Sequence, residues 1–183
     1  MAKEYIISAV GGNRPGVVAE LTKPMYQSGI NIENSNMTLL AEHFTLIIHI
    51  VVQDDSVFDR LADKLQELEQ QTEIATRILP VPATSVAEEA GEAKPRFALR
   101  VRGEDRTGIV YKTSSLLSQR GINILEMKTQ VEKKPQRESP LFQMYTLIEI
   151  PESVDREEFR NDLENLANEL QESITLTKAS SER

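Results

Sequence analysis

The residues best suited to hold a small polar ligand form a short segment near the start of the chain. This segment consists of Gly12, Asn13, Arg14, Pro15 and Gly16, and Asn31 and Ile32 come about one helix length later. An amide side chain both donates and accepts hydrogen bonds, and glycine lets the backbone come close to a ligand. A helix that begins at this segment contributes free N–H groups and a positive dipole end, which attract a carboxylate. The pattern predicts a site for a small molecule that carries a carboxylate, on which Asn13 and Asn31 converge, within one domain or across a domain interface.

The same segment occurs a second time, which becomes visible when the sequence is compared with itself at an offset of 92 residues. Residues 11–32 then align with residues 103–124 without a gap, and nine of the 22 positions are identical. The second copy of the segment consists of Glu104, Asp105, Arg106, Thr107, Gly108, Asn123 and Ile124. The repeat predicts two domains, residues 1–80 and 96–183, joined by a linker at 81–95 that is rich in Pro, Ala and Glu.

Both copies show the element order β-α-β-β-α-β. Strands are predicted at 4–10, 30–40, 44–52 and 73–79, and their partners at 96–102, 141–150 and 173–178. First helices are predicted at about 15–28 and 107–120, with Pro15 in the first turn and with Gly29 and Gly121 at the helix ends. In the second helices, apolar residues recur at helical spacing: Val57, Leu61, Leu65, Leu68, and Phe159, Leu163, Leu166, Leu170.

This order is typical of an α+β fold, namely two ferredoxin-like βαββαβ domains with antiparallel sheets and both helices on one face. In the strand at 44–52, alternate side chains are apolar on the face that we expect to meet the helices. Ile47 and Val51 point to the other face. We therefore expect another domain or subunit to cover that face in part.

Composition excludes several classes of function. The chain has 21 Lys and Arg against 29 Asp and Glu, a net charge of −8, which disfavours direct binding of nucleic acid through phosphates. It has no cysteine and two histidines, so no metal site, cofactor or thiol catalysis is expected. We expect His49 to pack in the sheet and His43 to be solvated. The longest apolar run is too short for a bilayer, and the N-terminus lacks a secretion signal, which predicts a cytoplasmic protein.

The run NRPGVVAELTKPMYQSGINIENSNM, at 13–37, resembles the signature of the ACT domain, a regulatory module that binds amino acids. Two such units, together with SPLFQMYTLIEIP in the second, resemble the family of glycine cleavage system transcriptional repressors. The resemblance implies an amino acid, glycine in particular, held between the β1–α1 loop of one domain and the second strand of its neighbour. Asn13 and Asn31 match the residues that hold the ligand, with Asp105 and Asn123 as their second-copy counterparts. Asp105 places a carboxylate where the first copy has an amide, which suits an ammonium group.

The resemblance also implies a protein that is not an enzyme and has no DNA-binding element. It would act on a partner transcription regulator and would pair its ACT domains within one chain or as a homo-oligomer. Two alternatives stay open. A small ferredoxin-like phosphatase of the acylphosphatase type would use Arg14 and Asn31. An RNA-binding module of similar topology would need aromatic residues on the sheet and a basic face, and the chain has only nine Phe and Tyr residues.

Overall fold

The computed structural model describes residues 2–82, 95–133 and 139–179. The chain folds into two compact units, Met1–Gly91 and Glu92–Arg183. Most of the predicted linker, residues 83–94, lies outside the described residues. No helix in the described ranges is long and apolar enough to cross a lipid bilayer.

Each unit consists of four strands and two helices. The first unit contains β1 (Lys3–Gly12), α1 (Val17–Gln27), β2 (Ile32–Leu40), β3 (His43–Val52), α2 (Asp55–Gln71) and β4 (Ala75–Pro80). The second contains β5 (Arg96–Glu104), α3 (Ile109–Gln119), β6 (Asn123–Glu132), β7 (Leu141–Glu149), α4 (Arg156–Leu170) and β8 (Ser173–Lys178). The strand orders are β2-β3-β1-β4 and β6-β7-β5-β8, with all pairs antiparallel. The predicted pair of ferredoxin-like folds is confirmed.

One face of each sheet is buried under the two helices. In β3 the burial alternates strictly, so that Phe44, Ile48 and Ile50 are buried between their exposed or half-buried neighbours. They pack in one cluster with Leu21 of α1 and Leu61 of α2. In the second unit the corresponding core divides into two clusters, both of which contact Leu116 and Ile174. The apolar period of the sequence therefore identified the buried face.

The opposite face of the first sheet carries Ile47, which is 52% exposed. On the same face, His49 Nε2 lies 2.9 Å from Glu4 Oε2 of the neighbouring strand, and both side chains are partly buried. His43 is exposed, and its Nδ1 lies 3.0 Å from the carbonyl of Ala41. Both histidines have local structural partners.

The first helices begin two residues later than predicted. Helix α1 begins at Val17 rather than at Pro15, and α3 begins at Ile109 rather than at residue 107. The residue before each helix is a glycine in the left-handed region, Gly16 at φ 90° and Gly108 at φ 98°. A helix cannot extend backwards through that conformation. The first strands of the two units, β1 and β5, are longer than predicted and include Gly12 and Glu104, which the prediction assigns to the loops. Strands β2 and β4 begin two residues later than predicted.

Candidate functional site

The first candidate loop connects β1 to α1 and is anchored by its backbone. Strand β1 ends with Gly12 opposite His43 of β3. The next residue, Asn13, donates its backbone N–H to the carbonyl of Glu42 at 2.9 Å. Within the described residues the Asn13 side chain makes no hydrogen bond, and it is exposed. The anchor therefore holds the backbone in place and leaves the amide available to a ligand.

The second candidate loop, between β5 and α3, is built in the same way. Asp105 donates its backbone N–H to the carbonyl of Pro140 at 3.0 Å. Its carboxylate is exposed and has no hydrogen-bond partner in the described part of the chain. The two copies therefore present an amide and a carboxylate at equivalent points.

Each loop leads into a helix whose N-terminus lacks a side-chain cap. The N-cap residues are Gly16 and Gly108, which have no side chain to accept a hydrogen bond. Their left-handed φ angles allow the tight turn, and few other residues adopt that conformation. The N–H of Val17, the first residue of α1, binds the carbonyl of Arg14 at 3.3 Å. The next N–H groups of α1, and the first ones of α3, are left for solvent or a ligand. Such groups favour a carboxylate.

The arginines of the two loops have different partners. Arg14 forms a two-pronged ion pair with Glu20 of α1, with both N···O distances at 2.6 Å. The hydrogen bond from Arg14 lowers the pKa of the Glu20 carboxyl below its ordinary value. Arg106 instead binds Glu104 at 2.7 Å and the side-chain carbonyl of Gln171 at 2.5 Å. The hydrogen bond from Arg106 likewise lowers the pKa of Glu104.

Asn31 does not lie near Asn13 within one unit. Asn13 is anchored next to His43, at one end of β3, whereas the residue after Asn31, Ile32, pairs with Ile50 near the other end. These ends are seven residues apart on the strand, or about 23 Å. The reason is that β1 and β2 both pair antiparallel with β3, so they run in the same direction and α1 returns the chain along the whole sheet. One unit does not bring the two amides to one ligand.

The remaining predicted site residues also lie either at the loop or at the opposite end of the sheet. Pro15 is exposed in the first loop, and Thr107 is exposed in the second. Asn123 and Ile124 begin β6 and lie opposite Glu149 and Ile148 of β7, at the end of the sheet away from the second loop. Each copy therefore has two separate groups of candidate residues, one at the loop and one at the start of the second strand.

This geometry does not support a phosphatase that uses Arg14 and Asn31. The two residues belong to opposite ends of one sheet, and the guanidinium is occupied by Glu20 at 2.6 Å. Acyl-phosphate hydrolysis would require both groups at one phosphate. In the described ranges, no group of three or more His, Asp and Glu residues is arranged to hold a metal ion.

Glu172, which the sequence reasoning missed, lies at the base of the second loop. It follows α4, is 7% exposed, and neither carboxylate oxygen has a hydrogen-bond partner. A side chain on Gly103 would overlap this carboxylate. The equivalent residue in the first unit is Ile74, but there the backbone lies against the glycine: Ile74 Cα would be 3.3 Å from a Cβ added to Gly11. One signal in the sequence points to Glu172: the repeat places this acidic residue where the first copy has the apolar Ile74.

Comparison with known proteins identifies the family. Residues 4–78 match the ACT_6 family, described as the ACT domain. The UPF0237 protein MMP0657 of Methanococcus maripaludis is 34% identical over 67 residues, which cover 36% of this chain and 74% of that protein. The glycine cleavage system transcriptional repressor of Escherichia coli (strain K12) is 42% identical over 43 residues, 24% of this chain and 23% of the repressor. The matched region thus spans about a quarter of the repressor's length.

Two solved structures share the fold over nearly the whole chain. An unknown protein from Galdieria sulphuraria has a TM-score of 0.78 at 20% identity, with 98% of this chain and 100% of that chain covered. A proposed glycine cleavage system transcriptional repressor has a TM-score of 0.67 at 21% identity, with 98% and 99% covered. At these identities the likeness concerns the fold. The first unit belongs to the ACT-domain family, and the second unit repeats its fold.

Proposed function

We propose that this protein is a non-catalytic regulator that binds a small amino acid, glycine first among the candidates, and thereby modulates a partner transcription regulator. The observation that carries the proposal is the loop that recurs in both units. In each, a backbone anchor fixes the loop, a left-handed glycine starts an uncapped helix, and one polar side chain is free. The resemblance to glycine cleavage system transcriptional repressors supports the choice of ligand and partner.

The distance between Asn13 and Asn31 constrains how such a ligand is held. Glycine is far shorter than the roughly 23 Å between the two ends of β3. A ligand that touches both amides therefore needs the loop of one copy of the fold and the β2 start of another copy. Asn13 would contribute an amide beside the N–H groups of α1, which suit the carboxylate of the ligand.

The affinity of glycine has a physical ceiling. The molecule has five heavy atoms, and the best small ligands gain about 1.5 kcal/mol per heavy atom. The total of about 7.5 kcal/mol corresponds to a low micromolar dissociation constant. A protein with this limit responds to an abundant metabolite. Coupling of about 1–3 kcal/mol between the ligand and the partner is enough to switch a regulator.

The test is thermal unfolding of the full chain with and without glycine. At about 100 times the dissociation constant, a ligand adds about 2.7 kcal/mol to the stability of the state that it binds. We expect a clear rise in Tm for the unmodified protein and a much smaller one for the Asn13→Ala/Asn31→Ala variant. Asn36→Ala is the matched control, because Asn36 is another exposed amide on β2. No shift with any of the twenty amino acids would refute the proposal.

A further inference from the structure

The face of the first sheet that points away from its helices contains a groove of about 410 Å³. Strands β3, β1 and β4, which lie side by side, form this groove. One row across it places Ser8 of β1 between Ile47 of β3 and Arg77 of β4. A small side chain between two large ones leaves a hollow in the sheet surface.

The lining of the groove is largely apolar and open to solvent. Ile47 is 52% exposed, and Val10, in the next row, is 45% exposed. The volume lies within the range of about 300–1,000 Å³ that is usual for small-molecule sites, which combine apolar walls with a few polar groups. Exposed apolar side chains in such a concave place favour the binding of an apolar group.

Arg77 gives the groove one charged side. Its side chain is exposed and forms no ion pair within the described ranges. None of the described residues that line the groove is acidic, and Glu4, farther along the same face, is engaged with His49 at 2.9 Å. A guanidinium presents a planar fork of donors that matches a carboxylate. The groove therefore suits an anion and has no partner for an ammonium group.

The second unit fills the equivalent row with larger side chains. Ser8, Ile47 and Arg77 correspond to Arg100, Tyr145 and Thr175. The Arg100 guanidinium lies over the Tyr145 ring, 5.5 Å from its centre, and donates a hydrogen bond to Thr177 at 3.4 Å. The row that Ser8 leaves open in the first unit is therefore occupied in the second.

We propose that the groove of the first unit binds a medium-chain carboxylate, with its carboxylate on Arg77 and its apolar tail across Ser8 to Ile47. Arg77 and Ile47 lie two strands apart, or about 10 Å, which is about the length of an extended eight-carbon chain. This site is separate from the proposed amino-acid site, because it uses neither the β1–α1 loop nor Asn31. It takes a ligand of another chemical class.

The experiment is an NMR titration of the isotope-labelled full chain at pH 7.5, in which amide shifts report both the affinity and the position of binding. The Asn13→Ala/Asn31→Ala background keeps the first loop from competing for the carboxylate. The probes are octanoate below its micellar concentration, 1-octanol, which lacks the carboxylate, and butyrate, which has a short tail. A fourth probe, 2-aminooctanoate, adds an ammonium group that Arg77 repels. We expect octanoate to bind at least tenfold more tightly than each of the others.

Variants separate the two halves of the site. Arg77→Gln should weaken octanoate at least tenfold and leave 1-octanol unchanged, because it removes only the partner of the carboxylate. Ile47→Thr should weaken both probes, and threonine suits an exposed strand position. The matched control is Arg60→Gln, which removes an exposed arginine of α2 on the other side of the sheet and should change neither affinity.

Three results would overturn the proposal. The first is that octanoate does not bind, or binds with shifts outside β1, β3 and β4. The second is that Arg77→Gln binds octanoate as well as its parent does. The third is a dimer of the unmodified protein in sedimentation that dissociates in Ile47→Thr and is unaffected by octanoate, because the groove would then hold a second copy of the chain. Glycine binding is measured separately on the unmodified protein, so either proposal can fail alone.

Discussion

Replacing Glu172 with isoleucine should make the second unit more stable. The side chain is 7% exposed, and both of its oxygens are unpaired. The equivalent position of the first unit holds Ile74, which is 3% exposed in the apolar core. The fold therefore accommodates an isoleucine below the glycine at the end of the first strand. The substitution removes the unpaired carboxylate and adds apolar burial.

The size of the effect follows from the cost of an unsatisfied buried group. That cost is about 1–3 kcal/mol, so the free energy of unfolding should rise by about the same amount near neutral pH. For a domain of this size, each 1 kcal/mol shifts Tm by roughly 4–8 °C. The assay is thermal or urea unfolding of the full chain. Glu172→Gln, which removes the charge but keeps a polar group, should show a smaller gain.

The gain should depend on pH in a defined direction. Burial raises the pKa of Glu172 in the folded state above its ordinary value of 4.5. The folded state then holds this proton more tightly than the unfolded state. The contribution of the protonated carboxyl to stability is complete below pH 4.5 and is lost as the pH rises through the folded-state pKa. The difference between Glu172→Ile and the unmodified protein should therefore be smaller at pH 4 than at pH 8.

The reverse change in the first unit is the matched control. Ile74→Glu should destabilise that unit, more strongly at pH 8 than at pH 4, because it introduces a buried carboxylate without a partner. The reasoning would be refuted if Glu172→Ile lowered the stability at pH 8. It would equally be refuted if the difference between variant and unmodified protein did not change with pH.

Two further predictions concern the elements that hold the loops. Gly16→Ala should lower the free energy of unfolding, measured with urea, by about 1–2 kcal/mol, because φ 90° is strained for an L side chain. Gly12→Ala is the control: an added Cβ has no neighbour within 4 Å there, so the urea midpoint should change little. Equal losses in both would contradict this. Asp155 caps α4: its carboxylate accepts hydrogen bonds from the backbone N–H groups of Glu157 and Glu158 at 2.8 and 3.0 Å. Asp155→Ala should therefore lower the free energy of unfolding by about 0.5–2 kcal/mol. An unchanged unfolding curve would show that the cap does not stabilise the protein.

Local pattern was enough to predict the elements of this protein. The duplicated segment predicted two units, and the alternation along β3 predicted which side chains face the helices. Gly29 and Gly121 were predicted at the helix ends and adopt left-handed φ angles of 69° and 64°. These features depend on residues that are close in sequence, so their spacing carries the information.

The exact helix starts were not predictable in the same way. A proline is common in the first turn of a helix, so the sequence predicts that α1 begins at Pro15. The structure instead places a turn there, with Val17 donating its N–H to the carbonyl of Arg14 at 3.3 Å. The left-handed Gly16 then sets the first helical residue. Glycine permits many conformations, so its type alone does not say which one it adopts.

What the sequence determined by itself was the repeat, the order of the strands and helices, and the loop that both copies share. Only the tertiary structure decided which of the predicted site residues lie close to one another. It separated Asn13 from Asn31 along β3, and it brought Glu172 beneath Gly103, 69 positions away in the chain. The physical reason is that strand pairing joins distant residues in space. The charge and burial of a side chain depend on those partners, and no local period records them.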